Sequence, residues 1–144
     1  MTERALPAEP LWISKSALLA IHAQQIERYG GSHGVLDENV VFSALARPQH
    51  LWTYDTTADL AALAAGYLVG FARSQGFSDG NKRTALATAL VFLALNNSPL
   101  HAPPAELYTL TMAVATNKAD DSAVTAYLRA RLAPTAAAPD SRPR

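Results

Sequence analysis

Residues 73–86 read RSQGFSDGNKRTAL, and within them Asp79, Gly80, Asn81, Lys82 and Arg83 follow one another directly before the chain runs into good helix formers. A loop that ends in a helix start has a definite chemistry. The first four N–H groups of a helix lack intrahelical partners and lie at the positive end of the macrodipole, so they donate readily to phosphate oxygens. Gly80 has no side chain to hold a ligand off the backbone. Lys82 adds a compact charge and Arg83 a planar fork of donors, both suited to phosphate. Asp79 could hold Mg²⁺ through one carboxylate oxygen, because that ion takes one or two carboxylates together with substrate phosphates and water. Asn81 would orient the loop or touch ligand, and Phe77 would anchor the loop in the core. Together these residues propose a nucleotide-phosphate site. The spacing alone fits equally a D-G turn, an Asx cap and a solvated K-R helix start. It is not a P-loop, since the second glycine and the K-[ST] pair are missing at that spacing.

The elements that must position this stretch are helical. Gly and Pro sit between segments rather than inside them, and apolar residues recur at helical spacing in between. A first helix is expected over 15–29, where Leu18, His22, Ile26 and Tyr29 stack and Gly30–Gly31 stops it. Asp37 is the expected N-cap of a short helix that Pro48 ends. The aromatic and β-branched stretch 48–57, with Thr57 as the next cap, predicts a short β-like flap. Residues 58–73 and 82–95 are apolar nearly all round, as central helices are. Two more helices are expected over 107–116 and 120–132. The fold class is therefore all-α, a six-helix bundle with a central loop and helix.

Composition limits the chemistry further. The chain has 144 residues, enough for one self-supporting domain, and no cysteine, which excludes disulfides and thiolate chemistry. Twelve basic and twelve acidic side chains cancel, so no global field draws it to nucleic acid or an anionic membrane, and any anion site is local. The four histidines, His22, His33, His50 and His101, are scattered without zinc-ligand spacing. Each is expected to be packed, hydrogen-bonded or in a loop. The N-terminus carries an early acid and no long apolar run, so neither a signal peptide nor a membrane span is expected, and a soluble cytoplasmic protein is. The chain divides into an N-terminal extension, 1–12, a helical domain, 13–132, and a proline-rich tail, 133–144, expected to be disordered.

The segment GFSDGNKRTAL resembles the central motif of the Fic/Doc superfamily, specifically its Doc (death-on-curing) toxin branch, H-x-F-x-D-[AG]-N-K-R-T-A. The similarity runs from about 13 to 132 and includes RYGG at 28–31, AAGYLVGFAR at 64–73 and AVATNKADDSAV at 113–124. The resemblance implies a Fic-type fold that binds ATP with Mg²⁺ and transfers part of the nucleotide to a protein hydroxyl. Lys82 stands where AMP-transferring relatives have a second glycine, and in the Doc branch this goes with delivery of the γ-phosphoryl group. The implied target is a threonine of bacterial translation elongation factor Tu, whose modification stops protein synthesis, and the implied partner is a small antitoxin. Carried onto this chain, Asp79 is the acid near metal and phosphate, Gly80 and Asn81 bind phosphate, and Lys82 and Arg83 neutralise its charge. His50, Leu51, Trp52, Thr53 and Tyr54 would form the flap that docks the target peptide.

One position departs from the motif: Gln75 replaces the histidine that takes the proton from the attacking hydroxyl. A carboxamide does not titrate near neutral pH, and losing a general base costs about 10²–10⁴ in rate while positioning and charge neutralisation survive. An engineered change in a lethal toxin and a natural loss of activity would both leave this pattern. Alternative readings are nucleotidyl (AMP) transfer, and a catalytically dead homologue that grips an antitoxin or client.

Overall fold

Ten of the thirteen residues of Leu60–Ala72 are buried, so other helices must surround that segment on every side. The computed structural model describes residues 8–132; the start of the expected N-terminal extension, 1–7, and the expected tail, 133–144, lie outside the described residues. Six helices run in the order α1 (Lys15–Tyr29), α2 (Glu38–Tyr54), α3 (Leu60–Ala72), α4 (Asn81–Leu95), α5 (Pro104–Ala115) and α6 (Asp121–Arg131). As expected of a helix apolar all round, α3 is the axis: α2, α4, α5 and α6 all pack on it, and α1 lies across α4 and α2. The core gathers Leu63, Tyr67, Leu68 and Phe71 of α3 with Phe92 and Leu93 of α4, while Trp12 stacks on Phe92 at 5.8 Å. Among the described residues no helix is long and apolar enough to cross a membrane.

The helix starts are written in the sequence. Ser14, Asp37, Asp59 and Asp120 each accept a hydrogen bond from a backbone N–H in the first turn of α1, α2, α3 and α6. The cap of α3 is thus Asp59 rather than Thr57, whose N–H and hydroxyl both donate to Asp55. Two helices start without a side-chain cap. For α5 this leaves little to satisfy, because Pro104 has no N–H to offer. For α4 the cap is Gly80, and its first amides remain available.

The expected β-like flap is a correction. His50, Leu51, Trp52, Thr53 and Tyr54 form the last turns of α2, which runs straight through Pro48. Proline removes one i→i−4 bond, but here its ring is buried against α3 at Gly66, where a Cβ would sit 3.4 Å from Pro48 Cγ. Beyond it, Leu51 packs on the core and Trp52 meets the edge of Trp12 at 6.4 Å, so tertiary burial outweighs the local penalty. Strand-like pairing occurs elsewhere, as two isolated antiparallel bridges, Val35 with Phe77 and Leu100 with Leu132.

Candidate functional site

The loop between α3 and α4 is built against three neighbours, α1, the 30–37 connection and the start of α2. Gly76 lies where a Cβ would be 2.5 Å from Val41 Cγ2, so only glycine lets the loop approach α2 this closely. Its carbonyl accepts from the N–H groups of Leu36 and Asp37, at 2.8 and 3.1 Å. Phe77 is buried and stacks on His22 with ring centroids 3.9 Å apart and planes 9° from parallel. As the sequence suggests, this ring is the loop's anchor.

Asn81 closes the loop. Its Oδ1 accepts from the Phe77 N–H and its Nδ2 donates to the Phe77 carbonyl, both at 3.0 Å, so the carboxamide is spent on the loop's own backbone. Of the two roles open to Asn81, orienting the loop is the one its side chain performs. Gly80 adopts a left-handed conformation, φ 77° and ψ 19°, before the helical Asn81. Successive N–H groups in such a left-to-right-handed step form an anion-binding concavity.

Asp79 is held at both ends. Its Oδ2 accepts from the Ser32 N–H at 2.7 Å, and its carbonyl lies 2.8 Å from His22 Nε2. A carbonyl can only accept, so Nε2 carries the proton and donates. Oδ1 of Asp79 has no protein partner among the described residues. No cluster of three His, Cys, Asp or Glu capable of holding a metal exists among them either. A divalent ion here would therefore rest on Asp79 and substrate oxygens, a donor set that fits Mg²⁺.

The two cations part company. Arg83 donates to the carbonyls of Gln25 and Gly30, at 3.3 and 3.0 Å, and lies over the Tyr29 ring at 5.7 Å. It straps the C-terminal end of α1, where the dipole favours a cation, to the start of α4. Lys82 is exposed and makes no ion pair among the described residues. Both line a cleft of about 440 Å³ together with Asp79, Gly80, Asn81 and, opposite, Tyr108, Thr111 and Met112 of α5. That volume suits a nucleotide-sized ligand.

A larger, shallower groove of about 730 Å³ between α2 and α3 takes in His50, Arg47, Arg73 and Ser74 but no residue of the 76–83 loop and helix start. Its Arg73 is already committed to the carbonyls of Val114 and Ala119. The α4 cleft, not this groove, combines helix amides, a free cation and a carboxylate. The structure thus brings Asp79, Gly80, Asn81, Lys82 and Arg83 together as expected. Gln75 is exposed and does not line the cleft, and His50 to Tyr54 lie on α2 away from it.

Sequence reasoning missed the α5 wall and the 30–36 connection, which backs the loop through the N–H groups of Ser32 and Leu36 and the Gly34 carbonyl. Gly30, Gly31 and Gly34 all have positive φ, and a Cβ on Gly31 would sit 3.0 Å from that of Asp79. Three glycines in five residues were the available signal; they serve as more than a helix stop. His22 was legible only as a polar residue on a buried face.

The sequence model of the Fic/DOC family matches residues 12–93, over half of the chain, including α1 to α3, the whole of the loop and all but the end of α4. This chain belongs to the Fic/DOC family. It is 40% identical over 117 residues to a protein of Escherichia phage P1 named protein kinase doc, covering 81% of this chain and 92% of that one. It is also 40% identical over 75 residues to toxin Doc of Mycolicibacterium smegmatis, covering 51% of this chain and 58% of the other. The relatives are thus Doc toxins, as the loop's motif suggests, and the six-helix architecture agrees with them.

Proposed function

We propose that the α4 cleft binds ATP with Mg²⁺ and that the chain is a Doc-like toxin whose reaction is γ-phosphoryl transfer to a protein hydroxyl. One observation carries this reading: α4 begins at a left-handed glycine with no side-chain cap, beside an unpaired lysine and a carboxylate fixed by Ser32. Helix amides without an acceptor among the described residues, next to a cation, suit a polyphosphate. The name of the phage relative supports kinase chemistry, and that of the mycobacterial relative supports a toxin.

Each residue then has a task. The N–H groups of Gly80, Asn81 and Lys82 bind phosphate oxygens, and the Lys82 ammonium offsets charge on the transferring group. Asp79, oriented through Oδ2, would hold Mg²⁺ through Oδ1; bound there, the ion neutralises phosphate charge. Arg83 ties the α1 end, and with it the start of the 30–36 connection, to the first turn of α4. In the transfer a new O–P bond forms from the target hydroxyl as the bond from the γ-phosphorus to the bridging oxygen breaks, ADP leaves, and the hydroxyl proton passes to a base. Gln75 cannot serve as that base, so this form binds nucleotide and turns over about 10²–10⁴-fold more slowly than one with histidine there.

The expected target is translation elongation factor Tu, and the expected regulator a small antitoxin that binds in trans; both follow from kinship with Doc. Gln75 gives one specific reason for a second reading, in which the chain grips its antitoxin or client without catalysis. The decisive experiment incubates the native chain and its Gln75→His variant with elongation factor Tu and ATP labelled at either the γ or the α phosphate. The kinase reading expects γ-label on the target, more with Gln75→His. Label from α-ATP would mean nucleotidyl transfer instead, and no label from either variant would leave only the binding module.

A further inference from the structure

We propose that His22 is a positioning residue that fixes the direction of the 79–80 peptide and so aims the Gly80 N–H at bound phosphate. The inference rests on the nucleotide reading of the α4 cleft and adds to it a residue outside the loop. His22 is 4% exposed on the inner face of α1, its ring stacked on Phe77 and its Nε2–H donated to the Asp79 carbonyl at 2.8 Å.

A trans peptide is planar, with its C=O and N–H pointing in opposite directions, and the described chain contains no cis bond. The carbonyl of Asp79 is drawn inward to α1, so the amide of the same peptide, that of Gly80, points away from it. That N–H has no hydrogen-bond acceptor among the described residues. The inner side of Gly80 is floored by α1, where a Cβ would meet Ile26 Cδ1 at 3.1 Å and His22 Cδ2 at 3.8 Å. The outward N–H joins those of Asn81 and Lys82, which the left-handed step at Gly80 turns toward a common point.

Glycine makes this arrangement reversible in principle, because both φ signs are open to it. A flipped 79–80 peptide would turn a carbonyl dipole toward the phosphate and bury an N–H against Ile26. The His22 hydrogen bond is what opposes that flip, so one buried imidazole sets the sign of the field at the mouth of α4. Phe77 holds the imidazole plane from one side, which couples the loop anchor to the same task.

The test compares the native chain with His22→Phe, which keeps the stack and loses the donor, and His22→Gln, which keeps a donor near the Nε2 position. Thermal melts establish that each is folded; Mg–ATP affinity is measured by calorimetry, and the Gly80 amide is followed by ¹⁵N-resolved NMR during the titration. His22→Phe should bind about 10-fold or more weakly and lose the Gly80 response, the scale of one charge-assisted hydrogen bond, and His22→Gln should recover most of both. Equal affinity in a folded His22→Phe would overturn the proposal. So would a ligand-free crystal structure of that variant with the Asp79 carbonyl still turned to α1. Should neither variant fold, the imidazole ¹⁵N spectrum of the native protein decides: a proton on Nε2 supports the assignment and a neutral Nδ1–H tautomer removes it. Absence of Mg–ATP binding to the native chain would count against the nucleotide reading alone, since the peptide direction is read without nucleotide.

Discussion

At the scale of single residues, neighbours in the sequence separate into distinct jobs that their types alone do not reveal. Lys82 and Arg83 look interchangeable as phosphate ligands, yet among the described residues Lys82 has no ion-pair partner and Arg83 is tied to two main-chain carbonyls. Lys82→Glu should leave unfolding free energy within about 0.5 kcal/mol of native, as surface changes do, while weakening Mg–ATP binding about 10-fold or more. Arg83→Gln should instead cost about 1–2 kcal/mol of stability, since it releases the end of α1. Urea titrations paired with calorimetry separate the two; loss of stability at Lys82 with none at Arg83 would contradict the division. Asn81 belongs on the structural side. Asn81→Ala leaves the buried Phe77 N–H and C=O unpaired, an expected loss of about 2–4 kcal/mol, and a smaller loss in denaturant unfolding would mean that the loop re-pairs on its own. That an asparagine before a helix matters was legible in the sequence; that it faces back into its own loop was not, because only the fold shows how tightly 77–81 turns.

At the scale of elements, the helix with a polar cap and a glycine stop was readable almost to the residue. The first helix is the plainest case: Ser14 caps it, Gly30 at φ 90° ends it, and the apolar stripe of Leu18, His22 and Ile26 faces inward. Reading failed where burial overrode local preference, at Pro48, because the sequence does not show that Gly66 lies opposite the proline ring. It failed again at 30–36, where glycine-rich backbone supports the 76–78 loop through main-chain hydrogen bonds that no side-chain pattern encodes. Two measurements address these elements. Amides of residues 52–54 should show helix-like protection in hydrogen exchange, slowed relative to that of Thr56, which has no acceptor among the described residues, whereas a flap would exchange freely. Gly76→Ala should destabilise the protein by about 1–3 kcal/mol through overpacking against Val41, with part of the loss recovered in the Gly76→Ala, Val41→Ala double variant. Additive losses in the double variant would place the strain in the backbone instead.

At the scale of the whole molecule, the bundle is closed by α6, which buries only Val124 and Leu128 of its own residues. The described ion pairs all engage this helix: Arg47–Asp121 reaches it from α2, Asp59–Arg129 from the start of α3 and Glu106–Arg131 from α5. The Asp59 pair is the best formed, with Arg129 donating through Nε at 2.7 Å and Nη2 at 3.0 Å while the same carboxylate caps α3. The Arg129 hydrogen bond holds the Asp59 carboxyl below its ordinary value, against a smaller opposing effect of burial. A depressed folded value means that the contribution is fully present above the unfolded value and is lost as pH falls through the folded one. Both side chains are about half exposed, so solvent screening limits the pair to about 0.5–1 kcal/mol. Arg129→Ala should therefore lose about that much near neutral pH, and the gap to the native protein should begin to close below about pH 4, where an ordinary aspartate protonates. Urea unfolding at a series of pH values measures this directly. A gap that stays constant through the acid range would assign the role of Arg129 to packing on α3 rather than to charge.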